Sequence, residues 1–203
     1  MTFEEIGLNA DLLKAVTELG FTSPTPIQQQ TIPLLSQQKT DLVALAQTGT
    51  GKTAAFGLPM LSQINCDDKN TQALILAPTR ELCVQITNDI KNYSKYLRGF
   101  NVTAIYGGAR IDGQIKDIKR GVQVIVATPG RLIDMIERRV ISLKTVKVVI
   151  LDEADEMLNM GFKDDLDIIL KETPTDKNTW LFSATMPREV DRIAKNYMSN
   201  PKE

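Results

Sequence analysis

Leu42-Val43-Ala44-Leu45-Ala46-Gln47-Thr48-Gly49-Thr50-Gly51-Lys52-Thr53 runs from an apolar segment into a glycine-rich loop and then into Lys-Thr. The apolar part, 42–46, reads as a strand buried on both faces. The loop from Ala46 to Thr53 has the composition of a phosphate nest. In such a nest successive backbone N–H groups face phosphate oxygens, and the following helix adds the positive end of its dipole. Gly49 and Gly51 permit the required backbone angles and the close approach of a ligand. Lys52 is placed to reach terminal phosphates, and the Thr53 hydroxyl to ligate Mg²⁺. Loops of this kind generally begin with Gly, where this chain has Ala46; alanine is small enough to leave the loop intact. Taken alone, the stretch also reads as a strand-to-helix turn with no ligand.

A second signal lies a hundred residues on, where Asp152-Glu153-Ala154-Asp155 closes the apolar run 146–151. Open α/β sheets bind ligands beyond the carboxyl ends of their strands, so both segments face one crevice. Asp152 is then placed to hold the metal, directly or through water. Glu153 is placed to orient or deprotonate an attacking water. By itself the tetrapeptide would pass for an acidic helix N-terminus. The pair points to a nucleotide-hydrolysing site.

The strands expected are 42–46, 73–77, 102–106, 122–127, 146–151 and 179–183, all short and apolar on both faces. Between them the sequence takes helical periodicity. One stripe is Leu82, Ile86, Ile90, Tyr93 and Leu97; others are Phe162, Leu166, Ile169, Leu170 and Val190, Ile193, Ala194, Tyr197. These stripes read as core packing. The alternation predicts right-handed βαβ crossovers and an α/β fold with a parallel sheet covered by helices on both faces. Residues 1–40 differ. Asn9 can cap a helix bearing Leu12, Leu13, Val16 and Leu19, which Gly20 can end. Pro24-Thr25-Pro26 reads as an extended or turning segment. This helical preface is expected to lie over the edge of the nucleotide site as part of the same domain, with 41–203 as the core. Asn200-Pro201-Lys202-Glu203 follows a helix without a closing strand and reads as a linker within a longer protein.

Composition sets limits. The 203 residues fit one domain, 42% hydrophobic and 24% charged, with net charge −1. That charge gives no global attraction to a polyanion, so nucleic acid would need a local basic patch. There is no histidine, which removes Ser-His-Asp and Cys-His catalysis and histidine zinc sites. Cys66 and Cys83 supply neither a disulfide framework nor a metal cluster. No apolar stretch approaches a membrane span, and the N-terminus carries acid where a secretory signal needs base. The simple expectation is a cytoplasmic protein.

With these motifs in order, the chain resembles the DEAD-box RNA helicases over nearly its whole length. Gly20-Phe21 and Pro24-Thr25-Pro26-Ile27-Gln28 resemble the family's adenine-reading segment, with Phe3 upstream at the family's usual distance. Ala46–Thr53 resembles its phosphate loop, where alanine at the first position is normal. Pro78-Thr79-Arg80-Glu81-Leu82, Gly107-Gly108 and Thr128-Pro129-Gly130-Arg131 resemble its strand-binding motifs. Asp152–Asp155 spells the family name, and Ser183-Ala184-Thr185 resembles the motif coupling hydrolysis to strand separation.

The resemblance implies the N-terminal RecA-like domain of a P-loop NTPase, with the 179–183 strand between the phosphate-loop strand and the 146–151 strand. It implies ATP and Mg²⁺ as cofactors. Nucleotide contacts would come from Phe3, Phe21, Thr25, Gln28 and 46–53, and metal contacts from Thr53 and Asp152. Catalytic roles would fall to Lys52, Asp152 and Glu153. RNA would be held by Pro78, Thr79, Arg80, Gly107, Gly108, Thr128, Pro129, Gly130 and Arg131. Coupling would run through Asp155, Ser183, Ala184 and Thr185. The amide of Gln28 suits the N6/N7 edge of adenine, and backbone grip is blind to RNA sequence. Cys83 stands where the family more often has Ala. No His-Arg-x-Gly-Arg motif occurs, so a second RecA-like domain supplying arginine fingers would be the partner of this one, in a monomer. Two activities remain open: unwinding of short duplexes, or an ATP-dependent RNA clamp that remodels RNA–protein assemblies with little unwinding. A non-helicase transporter motor is disfavoured because its Leu-Ser-Gly-Gly-Gln segment is missing.

Overall fold

The computed structural model describes residues 1–203. In chain order the elements are α1 (Ala10–Glu18), α2 (Pro26–Gln37), β1 (Leu42–Leu45), α3 (Lys52–Ser62), β2 (Ala73–Leu76), α4 (Arg80–Tyr93) and β3 (Val102–Ile105). There follow α5 (Ile111–Lys119), β4 (Val124–Ala127), α6 (Pro129–Glu137), β5 (Val148–Leu151), α7 (Ala154–Asn159), α8 (Lys163–Glu172), β6 (Asn178–Ser183) and α9 (Arg188–Tyr197). All six expected strands are present, and every pairing is parallel. The order is β1-β6-β5-β2-β4-β3, so β6 lies between the phosphate-loop strand and β5, as the RecA-like resemblance implies.

The uniform apolarity of the strands has a simple cause. Successive side chains point to opposite faces, and both faces are covered. In β2, Ala73 and Ile75 enter one hydrophobic cluster with α3 and α4 residues. Leu74 and Leu76 enter the other, with residues of α6, α7, α8 and α9.

The preface is more than a cover. Phe3, Ile6, Leu8, Leu12, Val16, Ile32 and Leu35 belong to the same cluster as the P-loop helix α3. Asn9 caps α1 as expected, its Oδ1 accepting from the Leu12 amide at 2.9 Å, and Gly20 follows the helix at φ +83°. Thr25 is extended, as expected for 24–26, but helix α2 begins at once with Pro26. Its signal is present in the sequence: Thr25 and Gln28 take the N-cap and N3 positions of a capping box, with Pro26 opening the helix. The proline-rich look of 24–26 conceals a helix start. The Leu82–Leu97 stripe also outruns its helix, because α4 ends at Tyr93 and Leu97 packs from the turn beyond.

The chain end corrects another expectation. Residues 199–202 lie along the free edge of β1 and do not run off as a linker. Lys202 donates to the Asp41 carbonyl at 2.9 Å and its own carbonyl accepts from Val43 at 2.8 Å, a parallel bridge to Leu42. Buried Asp41 fixes this arrangement: one carboxylate oxygen accepts from the Thr179 amide at 2.8 Å and the other from Ser199 at 2.6 Å. No helix is long and apolar enough to cross a membrane.

Candidate functional site

Parallel registry brings the carboxyl ends of all six strands to one edge, with Leu45 beside Ser183, Leu151 beside Leu76, and Ala127 beside both Leu76 and Ile105. The loops leaving β1, β6 and β5 form one half of this edge. Those leaving β2, β4 and β3 form the other.

In the first half the loop after β1 turns at Gly49 (φ +82°) and Gly51 (φ +83°), and Gly51 is the N-cap of α3. A side chain at Gly51 would not fit, since an added Cβ would lie 2.4 Å from Gln28 Nε2 and 2.9 Å from Thr25 Oγ1. The Gln28 amide is held at both ends. Its Nε2 donates to the Gly51 carbonyl at 3.1 Å, and its Oε1 accepts from the Thr25 amide at 3.0 Å. The preface thus clasps the phosphate loop directly. Thr50 braces the turn through its hydroxyl, which donates to the Gln47 carbonyl at 2.6 Å.

Lys52, the first residue of α3, crosses to Asp152 at the end of β5, with Nζ 3.2 Å from Oδ1. Both side chains are buried. Burial pushes the Asp152 carboxyl above its ordinary value, with the Lys52 ammonium pulling the other way. The Glu153 amide also donates to Asp152 Oδ1, at 3.0 Å. Glu153 itself stands at φ +52°, a left-handed conformation unusual for a side-chain-bearing residue, at the start of α7. Burial, then the neighbouring Asp152, raises its carboxyl as well. The raised carboxyl and the uncommon backbone conformation thus coincide at one residue beside the phosphate loop.

These groups face a crevice of about 330 Å³ lined by Phe21, Gln28, Thr48, Gly49, Gly51, Lys52, Thr53, Asp152 and Glu153. Its far wall is α4, through Leu82 and Tyr93, which the sequence assigns to the core stripe, and through Gln85 and Asp89, which no sequence signal marks. Thr25, Ala46, Gln47 and Thr50 lie around a neighbouring hollow on the other side of the loop. Phe3 is not at the crevice. It is buried against Phe21, ring centroids 6.0 Å apart, and Phe21 in turn meets Tyr93 edge-on at 6.1 Å. Phe3 therefore supports the aromatic wall from behind. The Thr53 hydroxyl and the Asp152 carboxylate line the same crevice, and no group of three or more His, Cys, Asp or Glu side chains forms a metal cage. Hard oxygen donors in such small number suit Mg²⁺, which keeps several waters and shares its shell with phosphates.

Asp155 closes the first half. Its Oδ2 accepts from the Thr185 amide at 3.1 Å and hydroxyl at 2.8 Å. Its own amide donates to Ser183 Oγ at 3.2 Å, and that hydroxyl donates to the Thr185 carbonyl at 2.7 Å. Burial alone would raise this carboxyl. The hydrogen bonds from Thr185 and Ser183 outweigh it and hold Asp155 below its ordinary value. Ser183 is buried, while Ala184 and Thr185 are exposed.

The second half is built differently. Thr79 caps α4, its hydroxyl accepting from the Leu82 amide at 3.2 Å, and so keeps one donor for a ligand. Arg80 lies with its guanidinium 5.0 Å from the centre of the Tyr106 ring and beside exposed Gly108 (φ +78°). Thr128 is the N-cap of α6 with its hydroxyl uncommitted to the helix, Pro129 is buried beneath it, and Gly130 is exposed. Arg131 donates through Nη2 to the Ala109 carbonyl at 3.2 Å and through Nη1 to Gln114 at 3.4 Å. Pro78 is buried and Gly107 exposed. The three segments expected to bind a strand thus sit side by side, offering glycine backbone, hydroxyls and two arginines to solvent.

A family model described as DEAD/DEAH box helicase matches residues 25–193. The ATP-dependent RNA helicase CshA of Listeria monocytogenes is 50% identical over 202 residues, covering 98% of this chain and 38% of that protein. The ATP-dependent RNA helicase DeaD of Haemophilus influenzae is 47% identical over 203 residues, covering 100% of this chain and 33% of its own length. The crystal structure of a DEAD box protein from Methanococcus jannaschii superimposes with a TM-score of 0.95 at 44% identity, covering 100% of this chain and 55% of that one. The chain spans less than half the length of these curated relatives.

Proposed function

The chain belongs to the DEAD/DEAH box helicase family, and from that membership we propose that it binds Mg-ATP on one half of its sheet edge and single-stranded RNA on the other. Joined to a second RecA-like domain, it hydrolyses ATP to ADP and phosphate and couples this to local opening of short RNA duplexes. The observation behind this reading is that both halves lie on one edge of one sheet, with the Asp155 network spanning β5 and β6 between the phosphate loop and the RNA-facing loops.

Under this reading Lys52 neutralises the terminal phosphates, drawn away from Asp152 as they bind. Thr53 and Asp152 would hold a Mg²⁺, which when bound would help offset the charge on the phosphates. Glu153 accepts the proton of the attacking water. Gln28 reads adenine with the N–H and lone pair left free by its bonds to Gly51 and Thr25. Arg80, Arg131 and the backbone around Gly107, Gly108 and Gly130, with Thr79 and Thr128, grip sugar-phosphate without reading sequence. The parting of residues into a preface, 1–40, and a core, 41–203, is one of sequence, because both fill one hydrophobic cluster. A cytoplasmic monomer fits two unpaired cysteines, of which buried Cys83 has its thiol pushed up to about 12 and out of reactive range.

The test uses residues 1–203. A fluorescent ATP analogue is expected to bind and to be displaced by ATP far better than by GTP. Hydrolysis should be slow even with RNA, because arginine fingers of a second domain contribute about 10³–10⁵ in rate in related systems. Equal displacement by GTP, or vigorous RNA-stimulated hydrolysis by this chain alone, would contradict the proposal.

A further inference from the structure

Helix α5 holds an anomaly. Its isoleucines, Ile111, Ile115 and Ile118, are only partly buried, and its one buried residue is Gln114. An apolar residue would occupy that place without the cost of burying an amide, so the glutamine must be held by bonds. It is. Its Oε1 accepts from the Tyr106 amide at 3.2 Å, and its Nε2 donates to the Tyr106 carbonyl at 3.1 Å.

Tyr106 directly follows β3, the edge strand on this side of the sheet. A side-chain amide that bonds both main-chain groups of one residue does what a neighbouring strand would do, and it does so at the point where the backbone turns into Gly107-Gly108. The same Oε1 accepts from Arg131, whose other nitrogen holds the Ala109 carbonyl. The Tyr106 ring supports Arg80. One buried amide therefore joins loops from the ends of β2, β3 and β4.

We infer that Gln114 is a positioning residue for RNA: it fixes Tyr106 and Arg131 so that Arg80, the glycine loop and the α6 start face one strand together. The inference rests on the strand-binding role proposed above. A surface preset in this way loses less freedom when a strand is bound. Gln114 touches no RNA itself.

The test compares residues 1–203 with Gln114→Met, which fills the same space without an amide. Gln114→Asn is the second variant, keeping the amide one methylene short of its partners. The probe is a labelled oligouridylate, titrated at several salt concentrations, with a fluorescent ATP analogue titrated on the same preparations. Both variants should bind the oligouridylate about tenfold more weakly, as expected when charged groups no longer align with their phosphates. The log–log salt dependence should be shallower by about 0.7 for each phosphate no longer neutralised. Nucleotide affinity should not change, and the Tyr106 amide should exchange faster with solvent. Should Gln114→Met not fold, Gln114→Asn decides. Unchanged affinity and salt slope in a folded variant whose Tyr106 amide has become exposed would overturn the role. A parent chain that does not bind the oligouridylate would instead overturn the proposed function, and this inference with it.

Discussion

The two halves of the sheet edge, proposed to hold a nucleotide and an RNA strand, are built in opposite ways. Around β1, β6 and β5 the charges are buried and already engaged: Lys52 with Asp152, and the amide of Gln28 with Gly51. Under the proposed function a nucleotide entering there draws Lys52 away from Asp152, while Gln28 keeps its bonds to the loop. Around β2, β4 and β3 the two arginines are exposed or half-buried, and neutral groups hold them: the Tyr106 ring, the Gln114 amide and the Ala109 carbonyl. A strand there meets a surface already assembled. One half is set to respond to its ligand by rearranging, and the other to receive it. Under the proposed function this difference would make one side a switch and the other a sequence-blind grip.

The largest effects should fall on the engaged half. In the enzyme joined to its second domain, Glu153→Gln is expected to cut ATP hydrolysis by about 10²–10⁴ while analogue binding persists. The raised Glu153 carboxyl also predicts that hydrolysis falls off on acidification above the ordinary carboxylate range. A pH–rate profile and an analogue titration check both points. Lys52→Ala should strip Asp152 of its buried cation and cost about 3–5 kcal/mol of stability at neutral pH, read by urea unfolding. The sign with pH follows from the raised Asp152 carboxyl. The folded state then binds the extra proton, so stability returns as pH falls and is lost as pH rises through the folded pKa.

Smaller effects sharpen the contrast. Gly51→Ala forces a side chain onto φ +83° and into Gln28. It should cost about 1–3 kcal/mol and weaken nucleotide binding while leaving RNA binding intact. Thr185→Val removes the hydroxyl donor to Asp155 at an exposed site and should cost under about 1 kcal/mol. Because the Asp155 carboxyl is held low, its bonds stabilise the fold above the unfolded pKa and fade as pH falls through the folded one. The variant's acid unfolding should be correspondingly less steep.

The sheet is legible in the sequence because buried parallel strands can be made of little but apolar residues, and the six runs stand out. The engaged half is legible too, since a glycine loop ending in Lys52 and the acids of 152–155 are unusual chemistry in an apolar setting. What stays hidden lacks charge or pattern. Gln114 is an ordinary glutamine until the fold places it beneath Tyr106, and α2 is masked by its prolines. Phe3 goes to the nucleotide on spacing alone, yet spacing cannot tell a wall from the support behind it. Asp41, which no sequence pattern marks, is a buried clamp between β6 and the chain end.

The division of the edge is tested most directly by a crossed titration on residues 1–203. Lys52→Ala and Arg131→Ala are each titrated with a fluorescent ATP analogue and with a labelled oligouridylate. If the edge is divided, Lys52→Ala loses the nucleotide and keeps the RNA affinity of the parent, while Arg131→Ala does the reverse. Loss of both ligands by either folded variant, or of neither by both, would contradict it.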